Sequence, residues 1–437
     1  MSTSPNAGQP ANSARRVLFA SLIGTTIEFF DFYIYATASV IVFPKLFFPA
    51  SDPTSAVLQS FATFSIAFFA RPFGAALFGH YGDRIGRKAT LVAALMTMGL
   101  STVAIGLLPT YASVGVLAPL LLALCRFGQG LGLGGEWGGA VLLATENAPP
   151  GKRAWYGMFP QLGAPIGFIC SNGGFLLLAE FMTDAQFLAF GWRIPFIVSS
   201  LLVIMGLWVR LKLTETPDFQ RAIERQERVR VPIAKVFAEQ KALLLWGTLG
   251  AVATFVLFYI MTVFALTWGT TELGFTKATF LPIQLFGVCF FGLGIPLSAL
   301  VADRFGYVRT LIWTTVAIIA FGLTTGVLLG SGTTAGVVAY LVVGFLLMGF
   351  TYGPLGTALA EPFPVAVRYT GASLTFNLAG ILGASLAPYI ATTLAKTYGL
   401  AAVGWYLAGA AVITLVALLA MNGLGAAVGE AAEQPAE

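Results

Sequence analysis

Uncharged apolar stretches close to twenty residues long recur from one end of this chain to the other. A stretch of that length crosses the roughly 30 Å hydrocarbon core of a bilayer as a helix. Inside that core only helices and closed barrels satisfy their own backbone groups. Barrel strands would be about ten residues long with strict alternation, which these runs lack. They fall at about 17–47, 57–80, 89–108, 116–146, 154–180 and 192–211, and again at about 242–270, 282–302, 309–330, 335–356, 368–395 and 401–423. A large soluble core is excluded by run length and by charge. Only 10% of the 437 residues are charged and 57% are hydrophobic, against about a quarter charged in soluble domains. The sequence predicts an all-α integral membrane protein with twelve transmembrane helices.

Lysine and arginine set the orientation. With both termini cytoplasmic, 17 of these residues fall on the inner side and only Lys45, Arg193, Lys277 and Lys396 on the outer; such a bias fixes topology. The net charge of +5 reflects this bias, so no nucleic-acid partner is expected. Cys125, Cys170 and Cys289 lie in apolar runs without metal-ligand spacing, and read as packing residues. No metal or cofactor is expected. Residues 1–16 lack an apolar core and read as a cytoplasmic tail. The charged segment 212–241 reads as a cytoplasmic linker carrying a surface helix. It divides a six-span unit at 17–211 from a second at 242–423, with 424–437 as a C-terminal cytoplasmic tail.

The two units echo each other. "GHYGDRIGRK" returns as "ALVADRFGYVR", aligning Asp83, Arg84 and Gly86 with Asp303, Arg304 and Gly306. Each copy follows the second span of its unit. "ENAPPGKR" and "EPFPVAVR" place Glu146 and Arg153, and Glu361 and Arg368, at the same offsets after the fourth spans. Two matches in the same order point to a duplicated six-helix unit. A topogenic cluster explains Arg84, Arg87 and Lys88. It does not explain Asp83 or the second copy. Gly79, Asp83, Arg84, Gly86, Arg87, Lys88, Glu146, Arg153, Asp303, Arg304, Glu361 and Arg368 are therefore read as a conformational latch, since charge networks suit bistable interfaces.

Five ionisable residues lie well inside predicted spans, all in the first unit: Glu28, Asp31, Arg71, Arg126 and Glu136. Each costs at least about 2–3 kcal/mol at mid-bilayer unless paired or wetted, which makes function the default reading and internal ion pairing the alternative. Glu28 and Asp31, three apart, share a helix face. Desolvation raises a carboxyl's pKa and a neighbouring Arg lowers it, so both are candidates for proton coupling, with Glu136 after them. Arg126 opens "RFGQGLGLGGEWGG", with Gln129 one turn on; its donor fork suits a carboxylate. Arg126 is ranked above Arg71 as a substrate ligand. Tyr33, Tyr259, Gln284, Tyr352 and Asn377 complete the candidate cavity wall, with core packing the alternative for each.

Gly79-x-x-x-Asp83-Arg84-x-Gly86-Arg87-Lys88 resembles the signature loop of the major facilitator superfamily. The second copy departs from it at Ala299, Tyr307 and Val308. "GTTIEFFDFYIYA", "ARPFG", "RFGQGLGLGGEWGG", "GWRIPF", "ETPDF" and "RYTGAS" together resemble that superfamily's metabolite:proton symporters. The resemblance implies two pseudo-symmetric six-helix bundles in the inner membrane. It also implies proton-driven uptake of a small organic acid or zwitterion, as in shikimate, citrate, 2-oxoglutarate and proline/betaine carriers. Uncoupled facilitation, anion exchange and nutrient sensing remain as alternatives. An embedded enzyme is disfavoured by a single His and the lack of any phosphate-cradling loop. One chain suffices for the fold.

Overall fold

The computed structural model describes residues 14–49, 51–85, 87–146, 148–211, 232–364 and 367–433. Among the described residues every long element is a helix and there is no strand. Nine helices among the described residues are long and apolar enough to cross a bilayer. The bent pair Asp184–Gly191 and Arg193–Trp208, at 43°, makes a tenth, and the shorter apolar helices Val92–Leu107 and Tyr307–Leu323 bring the number to twelve.

The first six are α1 (Ala14–Ile41), α2 (Pro53–Ile85), α3 (Arg87–Leu107), α4 (Leu117–Gly134 continued as Trp137–Glu146), α5 (Arg153–Phe181) and α6 (Arg193–Leu211). The second six begin with α7, which runs Lys241–Tyr259, passes through a π-helical turn at Ile260–Phe264 and resumes at Ala265–Thr271. They continue with α8 (Lys277–Phe305), α9 (Tyr307–Leu323), α10 (Thr334–Ala360), α11 (Arg368–Gly383 continued as Ala387–Tyr398) and α12 (Leu400–Glu433). A short helix, Pro232–Glu239, precedes α7.

Packing repeats between the two sets. In the first, α1 packs on α5, α2 on α4, and α3 on α4 and α6. In the second, α7 packs on α11, α8 on α10, and α9 on α10 and α12. The same pairs six helices apart make two pseudo-symmetric bundles, as the sequence echoes predict. The bundles meet chiefly where α5 packs on α8 and α10, and where α2 packs on α11. Large apolar side chains such as Phe69, Leu100, Leu124, Leu201 and Trp405 remain exposed on the outer faces. In water such a surface would drive association; in lipid it is the matching solvent.

Two local features position the site. A side chain on Gly134 would land on the carbonyl oxygen of Arg71, and one on Gly130 on that of Ala67. Bare glycine faces on α4 thus let α2 approach it closely. Gly306, between α8 and α9, has φ +96°, a backbone state that glycine adopts without strain. It provides the turn of the second signature copy.

Candidate functional site

A cavity lies between the bundles. The first bundle contributes Glu28, Phe29 and Phe32 of α1, Arg71 of α2, and Leu133 and Trp137 of α4. The second contributes Thr254, Phe255, Phe258 and Tyr259 of α7, Tyr352 of α10, and Phe376 and Asn377 of α11. Glu28 and Arg71 are the charged members of this wall. The rest is aromatic, aliphatic or neutral polar. The Arg71 guanidinium stands over the rings of Phe68 at 4.8 Å and Phe32 at 5.2 Å, in contacts that favour a desolvated cation. Arg71 is only 8% exposed. Pro72 leaves α2 continuous.

Behind this wall lies a second polar group. Arg126 is fully buried and does not line the cavity. Its guanidinium sits over Tyr35 at 4.0 Å, Phe32 at 4.6 Å and Phe64 at 4.7 Å. Its Nη1 donates to Gln129 Oε1 at 2.9 Å and its Nε to the Phe64 carbonyl at 3.3 Å. Gln129 Nε2 donates to Thr102 Oγ1 at 2.8 Å, and the Thr102 hydroxyl donates to the Met98 carbonyl at 3.0 Å. Asp31 Oδ1 accepts a 2.5 Å hydrogen bond from Ser199 Oγ. Arg126, Gln129 and Thr102 thus form one buried chain through α4 and α3, and Asp31 and Ser199 form a buried pair between α1 and α6. Phe32 carries a guanidinium from each site over its ring, that of Arg71 and that of Arg126.

The sequence candidates therefore separate into groups. Glu28, Arg71, Tyr259, Tyr352 and Asn377 are brought to the cavity. Tyr33 lies one layer back, stacked on Phe29 at 5.7 Å and Phe258 at 5.7 Å. Arg126 and Gln129 share the buried chain, and Asp31 is bonded to Ser199 behind the cavity. Glu136 is buried at the break between the two segments of α4. Gln284 is buried outside the cavity, bonded to Asn172 and to two α7 carbonyls. Trp137, Phe376, Thr102 and Ser199 were not selected from the sequence. Trp137 carried a visible signal, a lone Trp among four glycines in "GGEWGG". Thr102 and Ser199 carried none, because hydroxyls are common in membrane helices and usually bond to their own backbone.

A family model described as "Sugar (and other) transporter" matches residues 17–242. The chain is 58% identical over 415 residues to the inner membrane metabolite transport protein YhjE of Escherichia coli (strain K12), covering 94% of each chain. It is 34% identical to the shikimate transporter of the same organism, covering 96% of this chain and 97% of that one. In shape it is similar to the xylose transporter XylE from E. coli in a partially occluded inward-open conformation, with TM-score 0.71, 16% identity, and 94% and 97% of the two chains covered. The chain belongs to the major facilitator superfamily.

In this transporter the bundles touch at both ends of the cavity. At the end bearing the basic turns, Arg153 pairs with Glu361 at 3.0 Å. The Asp303 carboxylate accepts from the backbone N–H groups of Ala154 at 2.8 Å and Trp155 at 3.0 Å, capping α5 from the other bundle. Trp137 and Phe376 stack with centroids 3.6 Å apart, and Tyr369 Oη donates to the Gly135 carbonyl at 2.7 Å. Arg368 shares a second pocket with Arg153 and Glu361. Arg304 is exposed. Of the remaining latch candidates, Gly86 lies outside the described residues, and the side chains of Asp83, Arg84, Arg87, Lys88 and Glu146, with the surroundings of Gly79, lie outside the described ones.

At the opposite end, Asn172 Nδ2 donates to Gln284 Oε1 at 3.3 Å, and Lys277 Nζ lies 3.8 Å from Asp184. The major facilitator fold thus has contacts between its bundles at both ends of the cavity.

Proposed function

We propose that this transporter couples proton entry to uptake of a small organic anion or zwitterion carrying a carboxylate, by alternating access across the inner membrane. Both termini and the 212–241 linker lie on the cytoplasmic side, and the 17–211 and 242–423 bundles rock about the cavity. The observation that carries the reading is that Glu28 and Arg71 both line a cavity wall otherwise built of apolar side chains, rings and neutral polar groups. Arg71 offers the carboxylate a fork of donors that cannot discharge. Aromatic faces suit the remainder of an organic cargo, and any cationic group on it.

The proton is carried by Glu28 or Asp31, which share one face of α1. Asp31 is buried and bonded to Ser199 of α6, a setting in which a change of solvation between states would let it hold a proton in one and release it in another. Cargo arriving at Arg71 changes the charge balance around Glu28. Proton and substrate then move in the same step. A relative named for shikimate supports a carboxylate cargo.

The test is uptake by the purified protein in liposomes, with a panel of labelled carboxylates and betaines and an imposed pH gradient. Accumulation of one of them, driven by an acidic exterior, is the expected result. Equilibration without accumulation would replace symport by facilitation, and counterflow that ignores pH would replace it by exchange.

A further inference from the structure

The helix that carries Tyr259 into the cavity is interrupted immediately beyond it. Residues Ile260–Phe264 form a π-helical turn, and such a turn inserts a residue into the ladder and disturbs its regular backbone pairing. In a membrane interior an unpaired carbonyl costs several kcal/mol. Here a side chain of another helix adds hydrogen bonds to the turn. Gln284 of α8, with no exposure, spends its amide nitrogen on two carbonyls of that turn, Met261 at 3.0 Å and Thr262 at 2.7 Å. Its oxygen accepts from Asn172 Nδ2 of α5, in the other bundle, at 3.3 Å. Asn172 Oδ1 in turn accepts from Thr37 Oγ1 of α1 at 2.6 Å. Both N–H groups and the carbonyl oxygen of Gln284 are therefore engaged.

We infer that Gln284 is a positioning residue of the transport cycle. It pins the π-turn that sets Tyr259 against the cavity, and through Asn172 and Thr37 it locks the end of the pathway opposite the basic turns. The inference rests on the transport reading above. Three facts support it. The chain runs from α1, about two and a half turns beyond Glu28, to the turn that follows a cavity residue, so it joins the proton-bearing helix to the cavity wall of the other bundle. Of its links, only Asn172 to Gln284 crosses between bundles, so this bond must break when that end opens. The bonds from Gln284 to α7 lie within one bundle and need not break, so α7 and α8 move as one body. A purely packing role for α5 against α8 would need no amide on either helix.

The experiment uses the full chain with Cys125, Cys170 and Cys289 changed to Ser and a reporter cysteine at Thr254 in the cavity. A membrane-impermeant maleimide is applied from either face of membrane vesicles. Gln284→Leu keeps the volume and removes all three bonds. Labelling from the face opposite the basic turns is expected to rise about fivefold, the scale of one or two interhelical hydrogen bonds in a membrane, while labelling from the basic face does not rise. Asn172→Ala, which leaves the π-turn pinned, is expected to raise the same labelling. The double variant should exceed the larger single one by little, because both remove the same link. Unchanged labelling from that face in folded protein, or an equal rise from both faces, overturns the proposal. If Gln284→Leu fails to fold, Asn172→Ala and Thr37→Val carry the same test. Failure of the transport reading would appear separately, as an absence of uptake or exchange for every cargo in liposomes with the labelling asymmetry intact.

Discussion

Arg153 and Glu361 meet at 3.0 Å across the two bundles, and they come from different copies of one repeated motif. The arginine of "ENAPPGKR" is paired with the glutamate of "EPFPVAVR". A duplicated unit thus provides both halves of a lock between its copies. The two side chains are 51% and 40% exposed, so water and salt screen the pair and its strength is on the order of 1 kcal/mol or less. Glu361→Gln should raise maleimide labelling of the Thr254 reporter from the basic face by about twofold to fivefold. High salt should shrink the difference. The charge-reversed pair, Arg153→Glu with Glu361→Arg, should restore slow labelling; failure to do so would remove the pair from the gate.

Asp303 should matter more. Its carboxylate holds two N–H groups in the first turn of α5, where the helix dipole also favours an anion. Asp303→Ala leaves both donors without that acceptor and should shift the closed-to-open ratio at the basic face by about tenfold, as for loss of a helix cap of roughly 1–2 kcal/mol. Asp303→Asn keeps an acceptor but loses the charge, and should fall between. An effect of Asp303→Ala smaller than that of Glu361→Gln would reverse this ranking.

The twelve helices, their order and their grouping in sixes were legible because bilayer thickness fixes run length and duplication leaves paired motifs. Glu28 and Arg71 were legible because a charge in a span has few reasons to be there. Arg126 showed the same signal but occupies a different place, one layer behind the cavity. Sequence gives its depth along α4, whereas the side of α4 that faces Phe32, Tyr35 and Phe64 is decided by packing. Gln284 was chosen as a cavity residue on polarity alone. The π-turn that accounts for it is a backbone event with no residue signature in "YIMTVF".

Neutralising the acids should separate coupling from movement. Asp31→Asn and Glu28→Gln each remove a titratable site on α1 and keep the shape. In the variant that removes the proton carrier, accumulation against a gradient should vanish while exchange of labelled for unlabelled substrate survives, since exchange needs no net proton movement. Uptake and counterflow in the same liposomes measure both. Full accumulation in both variants would move the role to Glu136.

The close approach of α2 and α4 predicts a sharp contrast between glycines. A methyl group on Gly134 collides with the Arg71 carbonyl, whereas one on Gly173 in α5 meets nothing within 4 Å. Gly134→Ala should destabilise by about 1–3 kcal/mol through overpacking and displace Arg71. Gly173→Ala should be neutral or stabilising by up to roughly 1 kcal/mol from helix propensity. Thermal unfolding in detergent, followed by intrinsic fluorescence, reads both. Equal unfolding temperatures for the two variants would show that the helices can separate at little cost.

The two arginines beside Phe32 should respond differently to the same change. Arg126 is enclosed by three rings within 4.7 Å and bonded to Gln129 and the Phe64 carbonyl. Its Nε and Nη1 are bonded to the protein, while its buried Nη2 has no hydrogen-bond partner among the described residues. Arg126→Lys replaces a planar, weakly hydrated cation by a compact, strongly hydrated one and leaves Gln129 Oε1 and the carbonyl without their donors. Leaving buried polar groups unpaired costs about 1–3 kcal/mol each, so this variant should unfold at a lower temperature and yield less folded protein. Arg71 lines the cavity and makes its ring contacts at longer range, 4.8 and 5.2 Å. Arg71→Lys keeps the charge, loses the fork, and should leave the unfolding temperature nearly unchanged. Its affinity for a carboxylate cargo should fall about tenfold, the scale of one charged hydrogen bond. Binding measured directly on monodisperse protein, beside the thermal scans, separates the two effects. Wild-type stability with lost affinity in Arg126→Lys, together with full affinity in Arg71→Lys, would exchange their roles and place the carboxylate behind the wall that Phe32 forms.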